Sequence, residues 1–86
     1  MHVTIRLFAR LRELAGASDL TRELPEGSSA GDAWNALIAE FPAMADYTRA
    51  ISCAVNEDYA RLTAALKDGD EVAFLPPVSG GSGASG

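Results

Sequence analysis

One cysteine and one histidine stand among 86 residues, and this scarcity excludes more chemistry than any single motif supplies. Cys53 has no second cysteine to pair with, so an intrachain disulfide is impossible. A lone unpaired thiol suits a reducing compartment, and a cytoplasmic protein is expected. A zinc site takes about four ligands from Cys, His or carboxylate; no such cluster is visible, and no metal is expected. The sole histidine sits at position 2, so no Ser-His-Asp set can be assembled and no catalytic side chain is expected. Basic charge is scarce too: Lys and Arg number 7 against 12 Asp and Glu, for a net charge of −5 and a pI near 4.6. Nucleic-acid binding needs a basic face that displaces counterions. Arg6, Arg10 and Arg12 form only a small local cluster, so no nucleic-acid partner is expected. No apolar run approaches the roughly 20 residues of a membrane span, and Met1-His2-Val3-Thr4 lacks the charged start and apolar core of a signal peptide. The glycine-rich residues 80–86 lack the lysine and following helix of a phosphate loop.

What is present is a 48% hydrophobic content arranged in short periodic segments. Val3, Ile5 and Leu7 alternate with His2, Thr4 and Arg6, which reads as a strand. Leu11, Leu14 and Ala15 follow at helical spacing and stop at Gly16. Residues 18–24 alternate imperfectly, because Arg22 falls between Leu20 and Leu24 on one face. They read as an edge-like strand pairing with the first, ended by the turn Pro25-Glu26-Gly27. Ser28 or Ser29 caps the best helix, and Ser29 with Asp32 forms a variant capping box. Trp34, Leu37, Ile38 and Phe41 make its apolar stripe, which places Trp34 in the core rather than in a binding site, and Pro42 closes it. Residues 43–50 allow a short helical connection. Ile51, Cys53 and Val55 alternate as a strand, which makes Cys53 a buried structural thiol rather than a persulfide carrier. Asn56-Glu57-Asp58 and Asp68-Gly69-Asp70 read as turns, with solvated acids. Glu71–Leu75 is the last strand, stopped by Pro76-Pro77.

The order is therefore strand, short helix, strand, long helix, strand, turn, strand. A mixed sheet wrapped over one main helix can shelter these apolar faces, whereas an isolated hairpin cannot. That is an α+β fold of the ubiquitin-like β-grasp type. Beyond it runs the arm Pro76-Pro77-Val78-Ser79-Gly80-Gly81. Glycines without side chains can thread a narrow channel in another protein, but Gly-Ser composition equally suits a plain linker. Composition leaves both readings open.

Residues 53–81 resemble the MoaD/ThiS sulfur-carrier family, in its molybdopterin synthase branch. The resemblance rests on Ala54-Val55-Asn56, on Leu66 with Asp68-Gly69-Asp70-Glu71-Val72-Ala73-Phe74, on Pro76-Pro77-Val78 and on Gly80-Gly81. Leu7-Phe8-Ala9 and Arg12-Glu13-Leu14-Ala15-Gly16 match the family's opening, and the similarity is weakest across residues 17–50. It implies a carrier with no activity of its own, whose terminal Gly81 is adenylated by an ATP-using activating enzyme and converted to a thiocarboxylate. Gly80 is the spacer, and Pro76, Pro77, Val78 and Ser79 form the rest of the arm. No permanently bound cofactor is implied. The implied partners are the activating enzyme and the large subunit of molybdopterin synthase, in a heterotetramer of two small and two large subunits. The sulfur would pass to cyclic pyranopterin monophosphate in molybdenum cofactor biosynthesis. Phe8, Tyr59, Phe74 and Leu75 would lie on or near the docking face and Arg12 would contact the activating enzyme. Phe8 and Phe74 as core, and Arg12 as a solvated charge, are the bland alternatives.

Chains of the family end at the second glycine, whereas here Ser82-Gly83-Ala84-Ser85-Gly86 follows. Residues 1–81 are therefore read as the carrier domain. Residues 82–86 are read as an extension that is a processed tail, a linker or an expression remnant. Two further readings stay open: a carrier for thiamine or another thiolated product, and a ubiquitin-like interaction module without sulfur chemistry.

Overall fold

The computed structural model describes residues 1–77. Strand β1 (His2–Leu7) turns Val3, Ile5 and Leu7 inward, as its period of two requires. Helix α1 (Ala9–Ala15) follows, buries Leu11, and ends at Gly16, whose φ of 73° lets its N–H close back on the Arg12 carbonyl. Strand β2 (Asp19–Glu23) pairs antiparallel with β1 at one edge of the sheet. Helix α2 (Ala30–Glu40) crosses the sheet, a 3₁₀ segment (Pro42–Tyr47) takes up the ambiguous connection, and β3 (Ser52–Val55), β4 (Asp58–Ala60) and β5 (Glu71–Leu75) complete it. The sheet order is β2-β1-β5-β3-β4, with β1 and β5 parallel at its centre and every other pair antiparallel. This is the expected β-grasp with one strand more than expected. Asn56-Glu57-Asp58 is not wholly a turn: Asn56 and Glu57 alone make the connection, at φ of 51° and 74°, and Asp58 already pairs with Val55. Positive φ at both central residues is what a type I′ hairpin needs.

Helix α2 starts where its orphan amides find acceptors. The Ser29 hydroxyl accepts from the Asp32 N–H at 3.2 Å and the Asp32 carboxylate from the Ser29 N–H at 2.8 Å, a reciprocal capping box. The Ala64 and Leu62 carbonyls accept from the Ala30 and Gly31 amides at 2.9 and 2.7 Å. A Cβ on Gly31 would meet the Leu62 carbonyl oxygen at 3.1 Å, so glycine is what lets the loop approach. The helix buries Ala30, Ala33, Trp34 and Leu37. The Trp34 ring tilts against Phe74 with centroids 5.1 Å apart, while its Nε1 donates to the Thr48 hydroxyl at 3.0 Å. Trp34 is core, satisfied at its one polar atom.

The flaw in the β2 pattern has a physical reason. Arg22 lies on the inner face yet reaches past the core to the end of α2, where Nε and Nη2 each donate to a Glu40 carboxylate oxygen at 2.6 Å. Its stem covers apolar surface while its charge stays at the rim. These bonds hold the Glu40 carboxyl below the usual glutamate range. A carboxylate whose folded pKa is depressed stabilises the fold above its unfolded pKa, and that contribution is lost as pH falls through the folded value. With the side chains 31% and 40% exposed, the pair contributes about 0.2–1 kcal/mol. Urea unfolding of Glu40→Gln should show that deficit at pH 7. The deficit should begin to shrink as pH falls below the ordinary glutamate pKa of about 4.3 and vanish only below the lower folded value, and a constant deficit would assign the effect to packing.

Candidate functional site

The inner face of the sheet is fully used. Val3, Ile5, Leu7, Cys53, Val72 and Phe74 are all buried there under α2. Among the described residues no element covers the outer face, and strand register says which residues share it. Arg6 pairs with Asp19 on one side and with Ala73 on the other, Ala73 with Ala54, and Ala54 with Tyr59. One row therefore runs across all five strands as Asp19, Arg6, Ala73, Ala54 and Tyr59. Leu75 and Ser52 pair in the next row, and Phe8 extends β1 beside them.

Small and large residues in these rows make a relief. Ala54 and Ala73 form a floor, and Phe8, Tyr59 and Leu75 rise around it, with Arg6, Glu57 and Glu71 at the rim of a depression of about 220 Å³. Tyr59 is 81% exposed and Phe8 37%, the two large apolar side chains that the described residues leave most open. A tyrosine this exposed on a three-residue edge strand does little for the core, and aromatic anchors around a shallow apolar floor are characteristic of protein docking surfaces. Arg6 lies 3.4 Å from Asp19 and 3.6 Å from Glu71. Its guanidinium also sits 5.7 Å from the centroid of the Phe8 ring, a cation–π contact that steadies one wall.

The chain passes from this depression's wall into Pro76 and Pro77. Leu75 ends β5, and Pro76 and Pro77 carry no N–H to extend the ladder. Val78, Ser79, Gly80 and Gly81 lie outside the described residues, as do residues 82–86.

Of the residues the sequence pointed to, Phe8, Tyr59 and Leu75 meet at the depression. Phe74 does not. It is fully buried against Trp34, because β5 sends Val72 and Phe74 inward and Glu71, Ala73 and Leu75 outward. Phe74 is therefore corrected from docking residue to core. Arg12 is exposed on α1 and does not line the depression. Arg6, Ala54, Glu57, Glu71 and Ala73 were not singled out; the alternation within β1, β3 and β5 is the signal that marks most of them.

Other reactive groups lie elsewhere. The Cys53 thiol points into the core and donates to the Ala60 carbonyl at 3.1 Å. Burial pushes its pKa up, which keeps it protonated and unreactive. Asp70 accepts from the Asn56 side-chain amide at 2.9 Å and from the Lys67 N–H at 2.8 Å. These bonds hold its carboxyl below the usual range, as suits a turn clamp. Among the described residues no three His, Cys, Asp or Glu side chains converge as a metal site. No described helix is long and apolar enough to cross a membrane.

Comparison with known proteins gives this arrangement a context. Residues 5–81 match the ThiS family. The chain is 41% identical over 83 residues to the molybdopterin synthase sulfur carrier subunit of Chlamydomonas reinhardtii, covering 94% of this chain and all of that one. It is 37% identical over 81 residues to the protein of the same name from Arabidopsis thaliana, covering 94% of this chain and 84% of that one. The crystal structure of SAMP1 from Haloferax volcanii superposes with a TM-score of 0.80 at 33% identity, over 94% of this chain and all of that one.

Proposed function

The chain belongs to the ThiS family, and from that membership we propose that it is the sulfur carrier subunit of a molybdopterin synthase. It carries sulfur and leaves the catalysis to its partner. The observation that supports this beyond the relatives' shared name is the placement of the open apolar depression. Leu75, the last strand residue before the arm, is part of its wall. A partner seated on Phe8, Tyr59 and Leu75 would therefore receive the arm at its own surface.

The working atom is the carboxyl carbon of Gly81. A carboxylate is a poor electrophile. An activating enzyme joins it to AMP from ATP, releasing pyrophosphate, and so supplies a leaving group. A sulfide-level donor, hydrosulfide in the simplest case, then attacks the acyl carbon, the C–S bond forms, and AMP leaves with the electron pair of the broken acyl–phosphate bond. The resulting thiocarboxylate is a nucleophile on a narrow arm, in the covalent-intermediate logic of group transfer. Docked on the companion synthase subunit, its sulfur would displace an oxygen substituent from a carbon of cyclic pyranopterin monophosphate, and water would then cleave the acyl C–S bond, leaving the sulfur on the product and returning the carboxylate.

The product of the proposed transfer is a dithiolene, which contains two sulfur atoms, so each product molecule consumes two charged carriers. In a single-turnover reaction of thiocarboxylated chain, companion subunit and cyclic pyranopterin monophosphate, product should rise with carrier and saturate at two carriers per product. Absence of product, or saturation at a different ratio, would contradict the assignment.

A further inference from the structure

The β3–β4 connection places two non-glycine residues in the left-handed region, and only one of them has a local reason to be there. Asn56, at φ 51°, tolerates that conformation and is held in it. Its backbone N–H donates to the Glu71 carbonyl at 2.8 Å. Its side-chain oxygen accepts from the Glu71 N–H at 3.0 Å, and its Nδ2 donates to Asp70 at 2.9 Å. Glu57 follows at φ 74°, where a type I′ turn favours glycine. Among the described residues its carboxylate takes part in no hydrogen bond or ion pair. Its side chain is instead exposed and lines the depression beside Tyr59.

The other charges at that rim are already committed, since Arg6 stands between Asp19 and Glu71 at 3.4 and 3.6 Å. Glu57 is left as the one rim charge without a counterion among the described residues. Ala9, the remaining non-glycine residue with positive φ among the described residues, at 52°, adjoins Phe8 on the opposite wall. Backbone strain thus collects around this face, as it does at functional sites, and a residue that breaks a local rule without a structural gain invites a functional reason.

We propose that Glu57 is a specificity-determining residue, kept in a strained turn so that its carboxylate receives a lysine or arginine at the rim of the companion synthase subunit. This rests on the reading of the outer face as the docking surface. The occupant is a protein with an apolar projection for the Ala54–Ala73 floor and a cation beside it. Rim charges of this kind act on association rate and salt dependence.

The test measures binding of the chain ending at Gly81 to the companion synthase subunit at low and high ionic strength, for wild type, Glu57→Gln, Glu57→Gly and Tyr59→Ala. Glu57→Gln should raise Kd about 3- to 10-fold at low salt, and the difference should close near 0.5 M salt, where screening reaches only about 4 Å. Glu57→Gly should weaken docking equally while raising Tm by about 4 °C, as the turn relaxes. Wild-type docking by Glu57→Gln at low salt, or a lower Tm for Glu57→Gly, overturns the proposal. Tyr59→Ala separates the two levels. If it weakens docking while Glu57→Gln does not, this proposal alone falls. If neither does, the docking face falls with it.

Discussion

Replacing Phe74 with alanine should bring the domain close to unfolding, whereas replacing Tyr59 should scarcely change its stability. Phe74 has no accessible surface, lies on the inner face of β5 and packs its ring against Trp34. Truncating a buried phenylalanine costs about 3–5 kcal/mol from lost transfer energy and the cavity left behind. A small domain holds about 5–15 kcal/mol in total, and this chain has one free cysteine and so no intrachain disulfide to support it. Tyr59 is 81% exposed, and substitutions at such positions stay within about 0.5 kcal/mol. Urea unfolding of both variants checks the contrast. A Phe74→Ala chain that unfolds like wild type would mean that the two faces of the sheet have been exchanged.

The second large effect concerns residues 82–86. A chain ending at Gly81 should be adenylated by its activating enzyme, and the same chain carrying Ser82–Gly86 should give no measurable pyrophosphate exchange. With Ser82 attached, the Gly81 carbonyl is part of an amide and offers no carboxylate to ATP. The free carboxylate then belongs to Gly86, displaced by five residues, or up to about 17 Å of extended chain. Ser85 also places a side chain where the shorter chain presents Gly80. Misplacing reacting atoms by even about 1 Å can cost 100-fold in rate, so the effect is all or none. Comparable exchange by the two chains would place the working end elsewhere.

Much of the fold was legible because its signals are local. The alternation of Val3, Ile5 and Leu7, the Ser29–Asp32 capping box and the stop at Gly16 each follow from backbone geometry within a few residues. Strand β4 was not legible: three residues are too few for a period, and its turn is Asn-Glu rather than the Asn-Gly that type I′ hairpins favour. Arg22 blurred β2 because its ion pair with Glu40 crosses from sheet to helix, a contact no sequence window contains. The proposed docking face was half legible. Phe8, Tyr59 and Leu75 were found by resemblance. Phe74 was misplaced, although parity settles it: Val72 and Phe74 share one face of β5, and Leu75 must take the other. The alanine floor left no mark in composition, since Ala54 and Ala73 matter by what they leave open.

In the proposed function sulfur rides on the carboxyl carbon of Gly81 and on no side chain. The direct measurement is the intact mass of the chain ending at Gly81 after incubation with its activating enzyme, ATP and a sulfur donor, followed by proteolytic mapping. One oxygen replaced by sulfur adds about 16 Da to the acyl group, and the added mass should map to Gly81 and disappear when ATP is withheld. An added sulfur that maps to Cys53, or that appears without ATP, would contradict the account.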